Sequence, residues 1–238
     1  MGGGHNLSSY KGFTLAEVLV TLGIIGVVSA MTVPTLMQNH QKKTYITKLH
    51  KVYNNLSQAL LQFQTDRNAV SLKESGLISY GINNFFKNYL KVVQDCGNDA
   101  NPCFADSYRK IAGTNSAFTC YLNCVVLADG SAIGIGVNDI SSDIIQFVVD
   151  INGKSGPNIF GRDAFSLFLY TGNGVIDDLT VTNDTGDPVD DVWNITAFAP
   201  LTKEQREKNF QDACISDTST RFHGCFGKIL NDNWEMNY

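Results

Sequence analysis

Residues 12–36 read "GFTLAEVLVTLGIIGVVSAMTVPTL", an apolar run with one ionisable side chain, Glu17, near its start. An ionised group in hydrocarbon costs about 2.5–3.5 kcal/mol at a helix centre on the mildest scales, so Glu17 needs a physical reason to be there. The apolar core from Phe13 to about Met31 has close to the ~20 residues that cross a bilayer. A cleaved secretory signal is the competing reading. Against it, the run exceeds the usual h-region of about 7–15 residues, and its helical pattern continues beyond its end.

That continuation is "TLMQNHQKKTYITKLHKVYNNLSQALLQF", residues 35–63. Ile46, Leu49, Val52, Tyr53, Leu56, Ala59, Leu60 and Phe63 recur at steps of three and four, which makes one amphipathic stripe. Joined to the apolar half it predicts a single helix about 80 Å long. Pro34 should kink it or melt it locally, with Gly23 and Gly26 as further weak points.

The chain has 238 residues, 43% of them hydrophobic, enough to bury a core. Its net charge of -5 argues against nucleic acid, which needs clustered Lys and Arg. The basic run of Lys42, Lys43, Lys48 and Lys51 reads as the solvated face of a helix. Six cysteines, Cys96, Cys103, Cys120, Cys124, Cys214 and Cys225, all follow the apolar run, as expected for disulfides made outside the cytoplasm. The spacings of Cys96 to Cys103 and Cys214 to Cys225 are too long for a zinc knuckle, and no histidine accompanies them at ligand spacing. Cys214 with Cys225, flanking a polar loop, is the favoured pair, followed by Cys96 with Cys103. In one extended strand Cys120 and Cys124 would stand about 13 Å apart, so either a bend joins them or each pairs elsewhere.

"KGFTLAEVLVTLGIIGVVSAM" resembles the prepilin leader and N-terminal helix shared by type IV pilins and type II secretion pseudopilins: a short polar leader, Gly, Phe, and Glu four residues beyond the Phe. The resemblance covers residues 11–35. It implies that a prepilin peptidase cuts between Gly12 and Phe13 and methylates the new amine of Phe13. It also implies that Glu17 pairs with the amine of a neighbouring subunit, relieving two buried charges together and setting axial register. The bland alternative is that Glu17 snorkels to the interface. The partners implied are the peptidase, other pilin or pseudopilin subunits and an inner-membrane assembly platform. One feature departs from the pattern: the leader has a single Lys, and more positive residues follow the span, so a positive-inside count would place the C-terminal body in the cytoplasm. The cysteines and the leader place it outside.

The expected fold is α+β and pilin-like: a leader (1–12), a transmembrane and assembly half-helix (13–34), an amphipathic half (35–66) and a globular domain (67–238) with a small antiparallel sheet and disulfide-stabilised loops. Within the globular part, "NNFFKNYLKVVQD" has helical spacing, and "TCYLNCVVLADGSAIGIGV" reads as a hairpin turning at Asp129-Gly130. "IIQFVVDI" and "AFSLFLY" read as further strands, and "LTKEQREKNFQDA" as a helix leading into a tail pinned by Cys214 and Cys225.

"DINGKSGPNIFGRDAF" resembles a segment of some bacterial prepilin-like proteins. Its glycines and Pro157 are turn chemistry. The functional alternative is calcium, held by Asp150, Asn152, Asn158 and Asp163, although an EF-hand's terminal Glu is missing. A second acidic cluster, Asp177, Asp178, Asp184, Asp187, Asp190 and Asp191, invites the same question, since some pseudopilins hold a C-terminal loop with calcium. No cofactor is otherwise expected.

Catalysis has no visible seat: there is no nucleophile elbow, no zinc-protease helix and no complete phosphate or dinucleotide loop. Gly153-Lys154-Ser155 lacks the leading glycine of a phosphate loop, Val148 standing in its place. A structural subunit, not an enzyme, is the leading expectation. An exported, membrane-tethered binding domain or enzyme using the same leader is the alternative.

Overall fold

The computed structural model describes residues 12–136, 144–179 and 199–238. The chain divides after Lys42 into two compact units. Helix α1 (Leu15–Asp66, 52 residues) supplies the helix among the described residues of the first unit and the opening helix of the second.

In the first unit the apolar side chains have no core to enter: Leu19, Ile24, Ile25 and Val28 are all exposed. Among the described residues α1 is the one helix long and apolar enough to cross a membrane, and none of its most apolar window is buried. The helix is not interrupted at Pro34, so the expected local melting does not occur. Thr32 donates to the Val28 carbonyl at 3.0 Å and Thr35 to that of Met31 at 3.5 Å. Neither bond reaches the carbonyl of Ala30, the group whose usual amide donor Pro34 lacks.

In the second unit, the stripe read from sequence is buried: Ile46, Leu49, Val52, Leu56, Ala59, Leu60 and Phe63 enter the main core. A single turn, α2 (Leu77–Tyr80), and helix α3 (Ile82–Tyr89) follow, with Phe85 and Phe86 buried in the same core. The sequence pattern extended that helix to Asp95, but it stops at Tyr89. Leu90 is extended, and Val92–Gly97 forms β1, an edge strand antiparallel to β4 (Cys124–Leu127). The adjacent β-branched pair Val92 and Val93 suits the pleated edge better than a fourth helical turn.

The sheet runs β1, β4, β5 (Ala132–Ile135), β6 (Ile144–Asp150), β8 (Ala164–Tyr170), β7 (Ile159–Phe160), β2 (Tyr108–Lys110), β3 (Asn115–Ser116), with β9 (Val175–Asp177) also paired to β8. Its centre is antiparallel, as expected. The short β7 is parallel to both β2 and β8, which makes the sheet mixed. Strands β6 and β8 pair over seven residues and are buried on both faces. On one face Ile145, Phe147, Val149, Phe165, Leu167 and Leu169 join the core that holds α1. On the other, Val148 and Ala164 pack with Phe104, Tyr108 and Phe160, the alternation a strand requires.

Helix α4 (Lys203–Asn209) begins in a capping box: Thr202 and Gln205 exchange side-chain bonds with each other's backbone amides. A π-helical turn (Phe210–Cys214) continues it, and α5 (Cys225–Asn231) follows the intervening loop.

Candidate functional site

Residues 12–14 lie outside α1, which starts at Leu15. The reason is local. Thr14 and Glu17 form a reciprocal cap: the Glu17 carboxylate accepts from the Thr14 amide at 2.8 Å and its hydroxyl at 2.9 Å, and the Glu17 amide donates to the Thr14 hydroxyl at 3.3 Å. The T-L-A-E spacing of a capping box was legible in the sequence and was missed there. The cap leaves Phe13 outside the helix and 88% exposed. A Cβ built on Gly12 would meet nothing within 4 Å. Among the described residues nothing crowds that position.

The four calcium candidates gather around one loop. Asp150 and Asp163 are fully buried. Asp150 accepts from the Tyr108 hydroxyl at 2.6 Å and the Asn152 amide at 3.1 Å. Asp163 accepts from the amides of Asn158 at 2.8 Å and Ile159 at 2.7 Å. Asn152 turns its side-chain nitrogen to the Ser155 and Gly156 carbonyls, at 2.6 and 3.1 Å. The Asn152 and Asn158 side-chain oxygens are buried without a partner. Burial, reinforced by the charge of Asp163, pushes the Asp150 carboxyl up to about 7 despite the bonds it accepts. Burial also raises the carboxyl of Asp163. Among the described residues no group of three or more His, Cys, Asp or Glu side chains is placed to hold a metal. The two carboxylates act as loop staples, tying the turn after β6 to β2 and to the start of β7.

Of the second acidic cluster, Asp177 and Asp178 are described, and both are engaged by protein groups. Asp177 receives Arg206 in a two-pronged contact, at 2.9 and 2.6 Å, and the Leu201 amide at 2.8 Å. Asp178 accepts from the amides of Leu179, Gly224 and Gly227 at 2.7, 3.1 and 3.1 Å, and lies 3.1 Å from His223 Nδ1. These are buried anchors for α4 and α5. Asp184, Asp187, Asp190 and Asp191 lie outside the described residues.

All six cysteines are paired: Cys96 with Cys103, Cys120 with Cys124, and Cys214 with Cys225. The Cys120–Cys124 bridge answers the question left open by the sequence. The chain bends at residues 121–123, the Cα atoms approach to 5.9 Å, and the hairpin's first strand starts only at Cys124. The loop between Cys214 and Cys225 is further held by the buried Lys110, whose ammonium donates to the Ser216 and Ser219 carbonyls at 2.9 and 2.8 Å.

Residues 7–33 match the prokaryotic N-terminal methylation motif, the leader of type IV pilins and pseudopilins. No curated protein and no solved structure matches the chain at a significant level. The chain thus carries a prepilin-type leader, and the matched residues include Gly12, Phe13, Thr14 and Glu17.

Proposed function

We propose that this protein is a structural subunit rather than an enzyme. It is cut by a prepilin peptidase between Gly12 and Phe13 and methylated on the Phe13 amine. It is stored as a single-pass protein of the bacterial inner membrane with its globular unit outside the cytoplasm. An inner-membrane platform then assembles it with like subunits into a type IV pilus or type II secretion pseudopilus.

One observation carries this reading: the methylation motif coincides with the exposed apolar half of α1, whose single carboxylate, Glu17, sits about one turn from the cleavage point. The open position of Gly12 fits a requirement imposed from outside, by an enzyme that must close around the scissile bond. Three disulfides fit an oxidising compartment.

The Thr14 cap gives Glu17 a specific chemistry in this scheme. Before assembly the carboxylate is satisfied within its own chain, by one amide and one hydroxyl. Pairing with a neighbour's Phe13 ammonium exchanges those neutral donors for a charged one, which makes a stronger bond in a dry environment. The test is Glu17→Ala beside Glu17→Gln, in a cell with the cognate machinery. Both variants should accumulate in the membrane without entering filaments. Wild-type amounts of filament from Glu17→Ala would rule out the pairing role.

A further inference from the structure

A helix that began one turn earlier than α1 would bury the bond that processing has to reach. In an α-helix each carbonyl accepts from the amide four residues further on. Carried back through Gly12, the helix would commit the Phe13 carbonyl to the Glu17 amide and the Gly12 carbonyl to the Ala16 amide. The Gly12 carbonyl is the reacting half of the Gly12–Phe13 bond. Its carbon is the point of attack and its oxygen takes up the developing charge, so a peptidase needs it free of other donors.

In this chain it is free. The first backbone bond of the helix runs from the Val18 amide to the Thr14 carbonyl at 3.2 Å, and among the described residues no backbone amide donates to the carbonyl of Gly12 or Phe13. Thr14 is what stops the helix there. Its hydroxyl takes the Glu17 amide at 3.3 Å, the very donor that would otherwise draw in Phe13. Its own amide is held by the Glu17 carboxylate at 2.8 Å. Thr14 thus fills the N-cap position, with its carbonyl inside the helix and its side chain closing the end. At the end of an apolar segment little water is at hand to satisfy an orphan amide, so the choice between the Thr14 hydroxyl and the Phe13 carbonyl decides where the helix begins. Gly12, a poor helix former, favours the same boundary.

We infer that Thr14 is a positioning residue for processing: by ending α1 at Leu15, its hydroxyl keeps the Gly12–Phe13 bond out of the helix and the Gly12 carbonyl open to the peptidase. This rests on the processing reading given above. Without the hydroxyl, the Glu17 amide turns to the Phe13 carbonyl, the helix grows backward and the scissile bond is withdrawn.

The test follows cleavage of the full chain in detergent micelles by purified prepilin peptidase, comparing wild type with Thr14→Val, Thr14→Ser and Thr14→Asn. Valine keeps the shape of threonine without its hydroxyl, whereas serine and asparagine both cap helices and asparagine has a different shape. Thr14→Val should lower kcat/KM about fivefold, the equilibrium factor for losing one helix cap, because only the uncoiled fraction can be cut. Thr14→Ser and Thr14→Asn should stay close to wild type. The Cα chemical shift of 13C-labelled Phe13 should move towards the helical value in Thr14→Val alone. Equal cleavage of Thr14→Val and wild type would overturn the inference. So would a Thr14→Asn chain cut as slowly as Thr14→Val, which would mean that the enzyme reads the side chain directly. A wild-type chain left uncut between Gly12 and Phe13 would refute the processing reading itself.

Discussion

Raising the pH from about 5 to about 8 should destabilise the globular unit through Asp150, against the usual behaviour of surface carboxylates. Asp150 is fully buried, accepts from Tyr108 and Asn152, and lies near a second buried carboxylate, Asp163. It forms no ion pair among the described residues. Its carboxyl is pushed up to about 7, so across this window the folded chain binds a proton that the unfolded chain has released. Stability is therefore fullest below the ordinary aspartate range, falls as pH rises and levels off above about 7. A displacement of about three pH units corresponds to roughly 4 kcal/mol in all, of which the span from pH 5 to about 7 carries about 2.7 kcal/mol at most, and about 1.5–2.5 kcal/mol is expected there once relaxation of the loop is allowed for. Asp95 beside Lys87 and Glu207 beside Lys228 are shifted the other way, and they lose their charge at pH values below this window. The assay is urea unfolding of the full chain in detergent, followed by tryptophan fluorescence, for wild type and Asp150→Asn. The wild type should lose about 1.5–2.5 kcal/mol between the two pH values, and Asp150→Asn should remove most of that slope. Added calcium should leave both curves in place, because the carboxylate oxygens already serve Tyr108 and backbone amides. A wild-type stability that is flat or rising over this range would refute the reasoning, as would a slope that survives in Asp150→Asn.

Two further perturbations test the C-terminal anchoring. Asp178→Ala would leave His223 and the amides of Leu179, Gly224 and Gly227 without their shared acceptor. Unfolding should cost about 3–5 kcal/mol less, and a change under about 1 kcal/mol in urea midpoints at constant slope would count against the anchor. Replacing Cys214 and Cys225 together by Ser opens a loop of sequence separation 11 and should cost about 2–3 kcal/mol. Proteolysis should then cut first within residues 215–224, and an unchanged cleavage pattern would show that Lys110 and Asp178 hold the loop without the bridge.

The parts of the fold that were legible in the sequence are those set by local periodicity. The stripe from Ile46 to Phe63 is buried as its spacing required, and β6 and β8 fall where apolar runs are bounded by turns. The Cys214–Cys225 and Cys96–Cys103 pairs followed from short loops between cysteines. What stayed hidden depends on partners distant in sequence. Val92 and Val93 carry on the helical spacing of Phe85 and Tyr89, and only pairing with Cys124–Leu127 makes them a strand. Asp177 and Asp178 look like loop charges until Arg206, 29 residues on, and His223, 45 residues on, fold against them. The parallel β7 is two residues long, too short for any pattern to announce. Thr14 is different in kind: its capping box is written in the T-L-A-E spacing itself, where the same Glu17 carries both a charge and an ordinary hydrogen-bonding role.

The proposed function requires that chemistry be done to this chain before it is used, at one peptide bond and one amine. Intact-mass and N-terminal peptide analysis of the protein recovered from membranes of a cell with its cognate prepilin peptidase addresses that claim most directly. A chain that begins at N-methylated Phe13 is expected. A chain that keeps residues 1–12, or one cut beyond the apolar run, would contradict it.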